Sequence, residues 1–262
     1  MQKQGFLMQK QGFSLVELSI VLVILGLLTG GILTGQSLIR AAELRSVTTE
    51  FSKYQTATMT FRDKYFALPG DMRNATDFWG AATCPTAAGA ANQTCNGNND
   101  GKIERSGNAS EFGEAFAFWQ HLTNAGLIEG NYSGIAGDGG IIDADPGANV
   151  PPSRLSNGAW YIEHKDGGNS VIFNQNYGNF FSYGGVTVTG ATSVNILTPE
   201  ETWNIDTKMD DGRPGYGKVV AIGWNDTCSS AIDGSSSADD FEAEYRLNDN
   251  SLKCTIAFKT GF

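Results

Sequence analysis

The sequence predicts an α+β protein. One long amino-terminal helix, first transmembrane and then amphipathic, packs on an antiparallel β-sheet head with long loops. Three observations carry this. Leu18 to Ile39 is a run of 22 residues without a charge. Behind it, apolar residues recur at alternating spacings of three and four as far as Tyr65. Beyond residue 66, short apolar runs are separated by Gly, Asn and Asp turn signals, in a chain with 33 glycines.

The uncharged run is long enough for a bilayer core, which needs roughly 20 apolar residues as a helix. Lys3 and Lys10 precede it, and Arg40 and Arg45 follow it. Basic residues therefore stand on both sides, and charge alone does not set the orientation. A secretory signal peptide has an apolar core of only about 7–15 residues. This run is longer, and the helical pattern continues past it. Cleavage behind the run is the weaker reading; cleavage in front of it leaves the helix on the mature protein.

Glu17 sits at the edge of the run. A carboxylate there is costly unless it lies at the headgroups or has a partner. Residues 12 to 36 supply a candidate partner by likeness. Gly12, then Phe13-Ser14-Leu15-Val16-Glu17, then the apolar run, resembles the cleavage and methylation segment of type IV pilins and type II secretion pseudopilins. The resemblance covers about a tenth of the chain. It implies that a prepilin peptidase cuts after Gly12 and that the new amino terminus, Phe13, is methylated. It implies that Glu17 neutralises the amine of a neighbouring subunit in a filament. Breaking a buried charge pair from one side costs about 3–5 kcal/mol. The implied fold is a pilin-like lollipop. The implied partners are other pilin or pseudopilin subunits, the peptidase, an inner-membrane assembly platform, and lipid before assembly. The implied location is the bacterial inner membrane, with the head periplasmic, and then the pilus or pseudopilus.

MQKQGF occurs twice, at 1–6 and 8–13. Only the second copy fits processing. Five residues into a chain cut after Gly5 stands Lys10 rather than an acid. Translation from Met8 would shorten the leader. The organisation expected is therefore a leader at 1–12, a transmembrane and spine helix at 13–65, and one head at 66–262. Many relatives in that family carry a proline where this chain has Thr34. Gly26, Gly30, Gly31 and Gly35 stand nearby instead. Each costs roughly 1 kcal/mol against alanine in a helix, yet small residues also let membrane helices approach closely. Both readings stay open.

Leu44, Val47, Phe51, Tyr54, Thr58, Phe61 and Tyr65 form one stripe, with charges off it. Pro69 disfavours helix at Leu68 and ends the element near Phe66-Ala67. From Phe13 the rod would be about 80 Å long at 1.5 Å per residue. A coiled-coil seam is conceivable, but packing under the head is the preferred reading.

In the head, strands are expected at 159–163, 170–173, 186–188, 218–223 and 253–258. A helix is expected from Ser110 to Ala125, capped by Ser110 and stopped by Gly126. A second opens with Thr198-Pro199-Glu200-Glu201, a cap, a first-turn proline and a capping glutamate. It should end before Asp211-Gly212.

Four cysteines, Cys84, Cys95, Cys228 and Cys254, suit an oxidising compartment. Their spacings do not match paired zinc ligands. Proximity favours Cys84–Cys95 and Cys228–Cys254, among three possible pairings. The net charge of −10 becomes −12 once a leader with two lysines is removed. No basic run offers a phosphate-binding stripe, so DNA binding is not expected.

Two acidic loops are candidates for structural calcium; no cofactor is required otherwise. In the first, Asn96, Asn98, Asp100 and the Lys102 carbonyl alternate as in the front half of an EF-hand loop. The twelfth-position glutamate is absent, and Glu104 or Glu111 would have to substitute. An ordinary Asn-Gly loop fits equally. In the second, Asp206, Asp210 and Asp211 could hold a cation, but a helix end with a glycine turn is the plainer reading.

No catalytic arrangement emerges. His121 and His164 lack zinc-ligand spacing, and His121 is expected on a helix surface. There is no nucleophile elbow and no phosphate loop. An anchored hydrolase is the remote alternative to a filament subunit. Glu17 favours incorporation within a filament; the large loop-rich head suits a minor or tip-proximal subunit.

Overall fold

The computed structural model describes residues 14–86, 92–167, 173–187, 190–222, 228–231 and 241–262. Gly12 and Phe13 lie outside them, as does 170–172 of one expected strand. The chain divides into two compact units, one ending at Ala42 and one spanning Glu43–Phe262.

In the first unit the secondary structure is helical. Helix α1 runs Leu15–Tyr65. Its large apolar side chains from Leu15 to Ile39 are exposed on the isolated chain.

The second unit is built on the rest of α1. Val47, Phe51, Tyr54, Ala57, Thr58 and Phe61 are buried there, so the stripe packs within the head rather than forming a coiled-coil seam. Four antiparallel strands follow: β1 (Gly158–Lys165), β2 (Gly178–Gly185), β3 (Val219–Ile222) and β4 (Thr255–Lys259). Their order is β1-β2-β4-β3. The register sets Trp160 beside Tyr183, and Phe181 beside Phe258. That alternation puts large aromatics on one face. Phe51 stacks on Phe258 at 4.8 Å, and Tyr54 meets Trp160 edge-on at 5.6 Å. Phe173, Tyr177, Phe180, Val220, Ile222 and Ala257 make a second apolar cluster.

Three helices complete the unit: α2 (Ala75–Trp79), α3 (Glu114–Asn124) and α4 (Pro199–Met209). The opening of α4 has the expected chemistry. Thr198 Oγ1 accepts from the Glu201 N–H, and Glu201 returns the contact to the Thr198 N–H. Helix α3 differs from expectation at its start. Gly113 is the N-cap, and Ser110 stands in a left-handed turn outside it. Phe112 is claimed by a bridge to Ile135 and a bond from its N–H to the Pro85 carbonyl. Those contacts hold the preceding residues out of the helix.

Strand β2 was not expected, whereas Val186 and Thr187, assigned to a strand, fall just beyond its end. Its sequence, GNFFSYGG, carries glycines at both ends. Those at the far end are there for space: a Cβ on Gly184 would meet the Thr192 carbonyl at 2.5 Å, whereas Gly178 has open space and a φ of +59°. A buried central strand thus lacks the β-branched signature that marks strands in sequence.

Candidate functional site

The amino-terminal segment is the first candidate. Ser14 opens α1, and its Oγ accepts from the Val16 N–H at 3.3 Å. Glu17 reaches back and accepts the Ser14 N–H at 2.9 Å. Ser14-Leu15-Val16-Glu17 thus has the spacing of a capping box, a signal in the sequence that the reading above did not use. An acid in the first turn also faces the positive end of the helix dipole.

The helix behind it suits an apolar solvent. It is long and apolar enough, by length and composition, to cross a membrane. Its hydroxyls return to the backbone: Ser19 to Val16, Thr29 to Leu25, Thr34 to Gly30, and Ser37 to Thr34. Each of these hydroxyls is satisfied within the helix, as a hydrocarbon environment demands. At Gly26, Gly30, Gly31 and Gly35 nothing lies within 4 Å of where a Cβ would be.

Two disulfides staple the head, Cys84–Cys95 and Cys228–Cys254. The four cysteines therefore do not act as metal ligands.

The loop 96–104 is held differently from the pattern read in its sequence. Asn96 Oδ1 leaves the loop and accepts the Thr76 N–H at 2.9 Å. Asn98 Oδ1 accepts from the Asp100 N–H, and Asp100 Oδ1 from the Lys102 N–H. Asn98 Nδ2 donates to Glu104. Glu111 turns to Asn108 instead. Two acids from outside the loop grip its backbone. Asp71 accepts the N–H groups of Asp100 and Gly101. Glu114 accepts those of Asn98 and Glu104. Burial pushes the Glu114 carboxyl up to about 7, against the pull of those two amides, with Asp71 and Glu104 adding repulsion. Burial likewise raises Asp71, with the Asp100 charge adding to it. Asp71 reads in sequence only as the end of a Pro-Gly-Asp turn, and Glu114 only as a first-turn acid. Their convergence is a tertiary fact. The donors are hard oxygens of the kind calcium takes, but Asn96 is not aimed with the others.

The second acidic loop is the tighter one. Carboxylate oxygens of Asp206, Asp210 and Asp211 lie within 4.8 Å of one another. It is the one such group of three among the described residues. Protein donors already engage each acid. Asp206 accepts from the Gly212 N–H and the Tyr245 hydroxyl. Asp210 accepts from the N–H groups of Lys218 and Val219. Asp211 accepts from the Arg213 N–H. Burial lifts Asp206 to about 7, with Asp211 and Asp210 pushing the same way.

The histidines have structural partners. His121, expected at a surface, is fully buried. Helix α3 is buried from Glu114 to Leu122, so it has no wet face to offer. His121 Nδ1 accepts the Gly70 N–H, and Nε2 lies 3.0 Å from Thr94 Oγ1. Thr94 donates its own proton to Gln120, so Nε2 carries the imidazole proton. Burial pushes the ring down to about 3, and it stays neutral. His164 lies between Asn179 and Asp166. With its proton on Nε2, His121 is not placed to take one from the Thr94 hydroxyl.

The comparisons with known proteins bear on the amino-terminal segment. Residues 7–33 match the prokaryotic N-terminal methylation motif. This is the prepilin-type cleavage and methylation segment of type IV pilins and pseudopilins. No curated protein and no solved structure matches the chain.

Proposed function

We propose that the chain is a prepilin-like structural subunit. It is cut after Gly12, methylated at Phe13, and assembled through Glu17 into a type IV pilus or a pseudopilus. The observation that carries this reading is the methylation motif at 7–33, set on a bare apolar helix in the same chain as a disulfide-stapled head. A carboxylate at the fifth position of the cut chain would neutralise the amine of a neighbouring copy. Both charges then leave water together, which is tolerable only as a pair.

In this reading the precursor rests in the inner membrane with its head on the periplasmic side, where disulfides form. Its partners are sister subunits, a prepilin peptidase and a membrane assembly platform. A surface fibre and a secretion pseudopilus use the same segment. Loss of fibres on deletion selects the first, and loss of a secreted protein with intact fibres selects the second.

A structural cation is a subordinate proposal. Asp71 and Glu114 stand beside the loop 96–104 and are repelled by its Asp100 and Glu104, and a calcium ion would relieve that repulsion. Its role would be to hold that loop.

The direct test of the main reading is mass spectrometry of the mature amino terminus. Methylated Phe13 as the first residue is expected. A first residue near position 40 would mean an export signal and no polymer.

A further inference from the structure

The turn after α1 shows a conflict between conformation and residue type. Phe66 follows the last helical residue, and its N–H bonds to the Arg62 carbonyl at 2.8 Å. Its φ is +54°. This is the left-handed position that ends many helices, and it is usually glycine, because a Cβ is strained there. A bulky side chain at positive φ is an outlier. Here the strain brings no burial in return: Phe66 is 90 % exposed, the highest value among the described large apolar residues of the head. The second most exposed is Phe78, at 54 %. Phe78 packs edge-on against the ring of Tyr65, the chain neighbour of Phe66, at 5.1 Å, and Tyr65 meets Trp79 at 5.5 Å. Nothing within the fold accounts for an aromatic at 66.

The electrostatics of the patch indicate what covers it. The chain carries a net charge of −10, so two copies repel over most of their surfaces. Of the exposed charges between residues 62 and 79, three are bases, Arg62, Lys64 and Arg73, and two are acids, Asp63 and Asp77, while Asp71 is buried. The two phenylalanines therefore lie in a slightly basic stretch of an acidic molecule, which complements the negative surface of another copy. An open polymer also needs two different contact surfaces on each subunit. The bare helix Leu15–Ile39 offers one of them.

We infer that the Phe66–Phe78 patch is the second contact surface, and that its occupant is another copy of this chain. The inference rests on the assembly reading given above. Phe66→Gly relieves the backbone strain and removes the contact. The melting midpoint of the full chain in detergent should rise by roughly 2 °C. Its recovery in sheared polymer should fall by roughly tenfold or more. A benzophenone photocrosslinker in place of Phe66 should, on illumination of intact cells, give an adduct of twice the chain's mass containing this chain alone. An adduct with a different protein, no adduct at all, or wild-type polymer yield from both Phe66→Gly and Phe78→Ala would overturn the inference. If the wild-type chain itself never enters sheared polymer, the assembly reading fails and takes this inference with it. If it enters polymer without the adduct, this inference fails alone.

Discussion

Trp160 Nε1 donates to the Glu50 carboxylate at 2.7 Å. The contact joins α1 to β1 across 110 residues of chain. Glu50 is half-buried and gathers two more donors from the loop before β1. These are Ser153 Oγ at 2.7 Å and the Arg154 N–H at 2.9 Å. One carboxylate on the helix thus fixes both the strand and its approach.

Glu50→Ala removes the acceptor of three donors, of which Ser153 Oγ keeps the Tyr183 hydroxyl at 3.1 Å and the exposed Arg154 N–H can turn to water. Each buried donor so stranded costs about 1–3 kcal/mol. Partial rescue by water brings the expected loss to roughly 3 kcal/mol, or a fall of roughly 10 °C in melting midpoint. Glu50→Gln keeps an acceptor oxygen and should lose less than half as much. Thermal melts of the two variants check this; equal losses would show that packing, not acceptance, matters at this position.

Glu50 also shows what the sequence makes legible. The stripe from Leu44 to Tyr65 is readable because helical period and apolar type coincide. Glu50 lies off that stripe and reads as one more solvated charge. Its role depends on Trp160, and no local pattern connects the two. The same holds for Asp71 and Glu114, which meet only over the loop 96–104. Strand β2 is hidden for another reason. Gly184 and Gly185 serve close packing, yet they read as a turn. The amino-terminal motif and the opening of α4 are legible because their chemistry is local: Thr198 and Glu201 stand three residues apart and need no tertiary partner.

The two disulfides should differ in weight. Cys84–Cys95 closes a span of 11 residues, and Cys228–Cys254 one of 26. Loop-closure entropy gives about 3 kcal/mol for the first and about 3.5 kcal/mol for the second. The second also ties the start of β4 into the core, since Cys254 is fully buried. Replacing Cys228 and Cys254 together by serine should lower the melting midpoint more than replacing Cys84 and Cys95. The opposite order would mean that the 84–95 loop carries contacts beyond its own closure.

Stability should fall as pH rises toward neutrality. Glu114 goes from 4.5 up to about 7 on folding, and Asp206 from 3.8 up to about 7. A group whose folded value is raised prefers its protonated form in the native state. Its stabilising contribution is therefore complete below the unfolded value and is lost as pH climbs through the folded one. Each could contribute a loss on the order of 3 kcal/mol between about pH 4 and pH 7. Glu114→Gln should flatten its share of the slope. Denaturant unfolding from pH 4.5 to 7.5 reads this directly, and a slope unchanged in the variant would exclude Glu114 as its source.

Calcium and protons should compete at the same place. Above pH 7 the Glu114 carboxyl beside the loop 96–104 is ionised, against the repulsion of Asp71 and Glu104. A bound cation would then stabilise the fold by RT ln(1 + [L]/Kd), about 2.7 kcal/mol at a hundred times Kd. Below pH 5, protonation relieves the same repulsion and leaves calcium little to do. Melts at pH 8 and pH 5, each with calcium and with chelator, should differ only at pH 8. No difference at pH 8 removes the calcium proposal.

Glu17→Ala separates membrane insertion from assembly. The apolar run Leu18–Ile39 is untouched by the change, and loss of a carboxylate at its edge makes insertion easier. The substitution also removes the acceptor of the Ser14 N–H. A lost capping contact costs about 1 kcal/mol, and this is confined to the first turn. The expected phenotype is a full-length chain in the membrane fraction, processed normally, and absent from sheared polymer. Glu17→Gln distinguishes charge from hydrogen bonding. It can still accept the Ser14 N–H, but it cannot neutralise a neighbour's amine. If the trans pair is what drives assembly, Glu17→Gln should fail as completely as Glu17→Ala. Assembly restored by glutamine would move the role of Glu17 from its charge to the capping of its own helix.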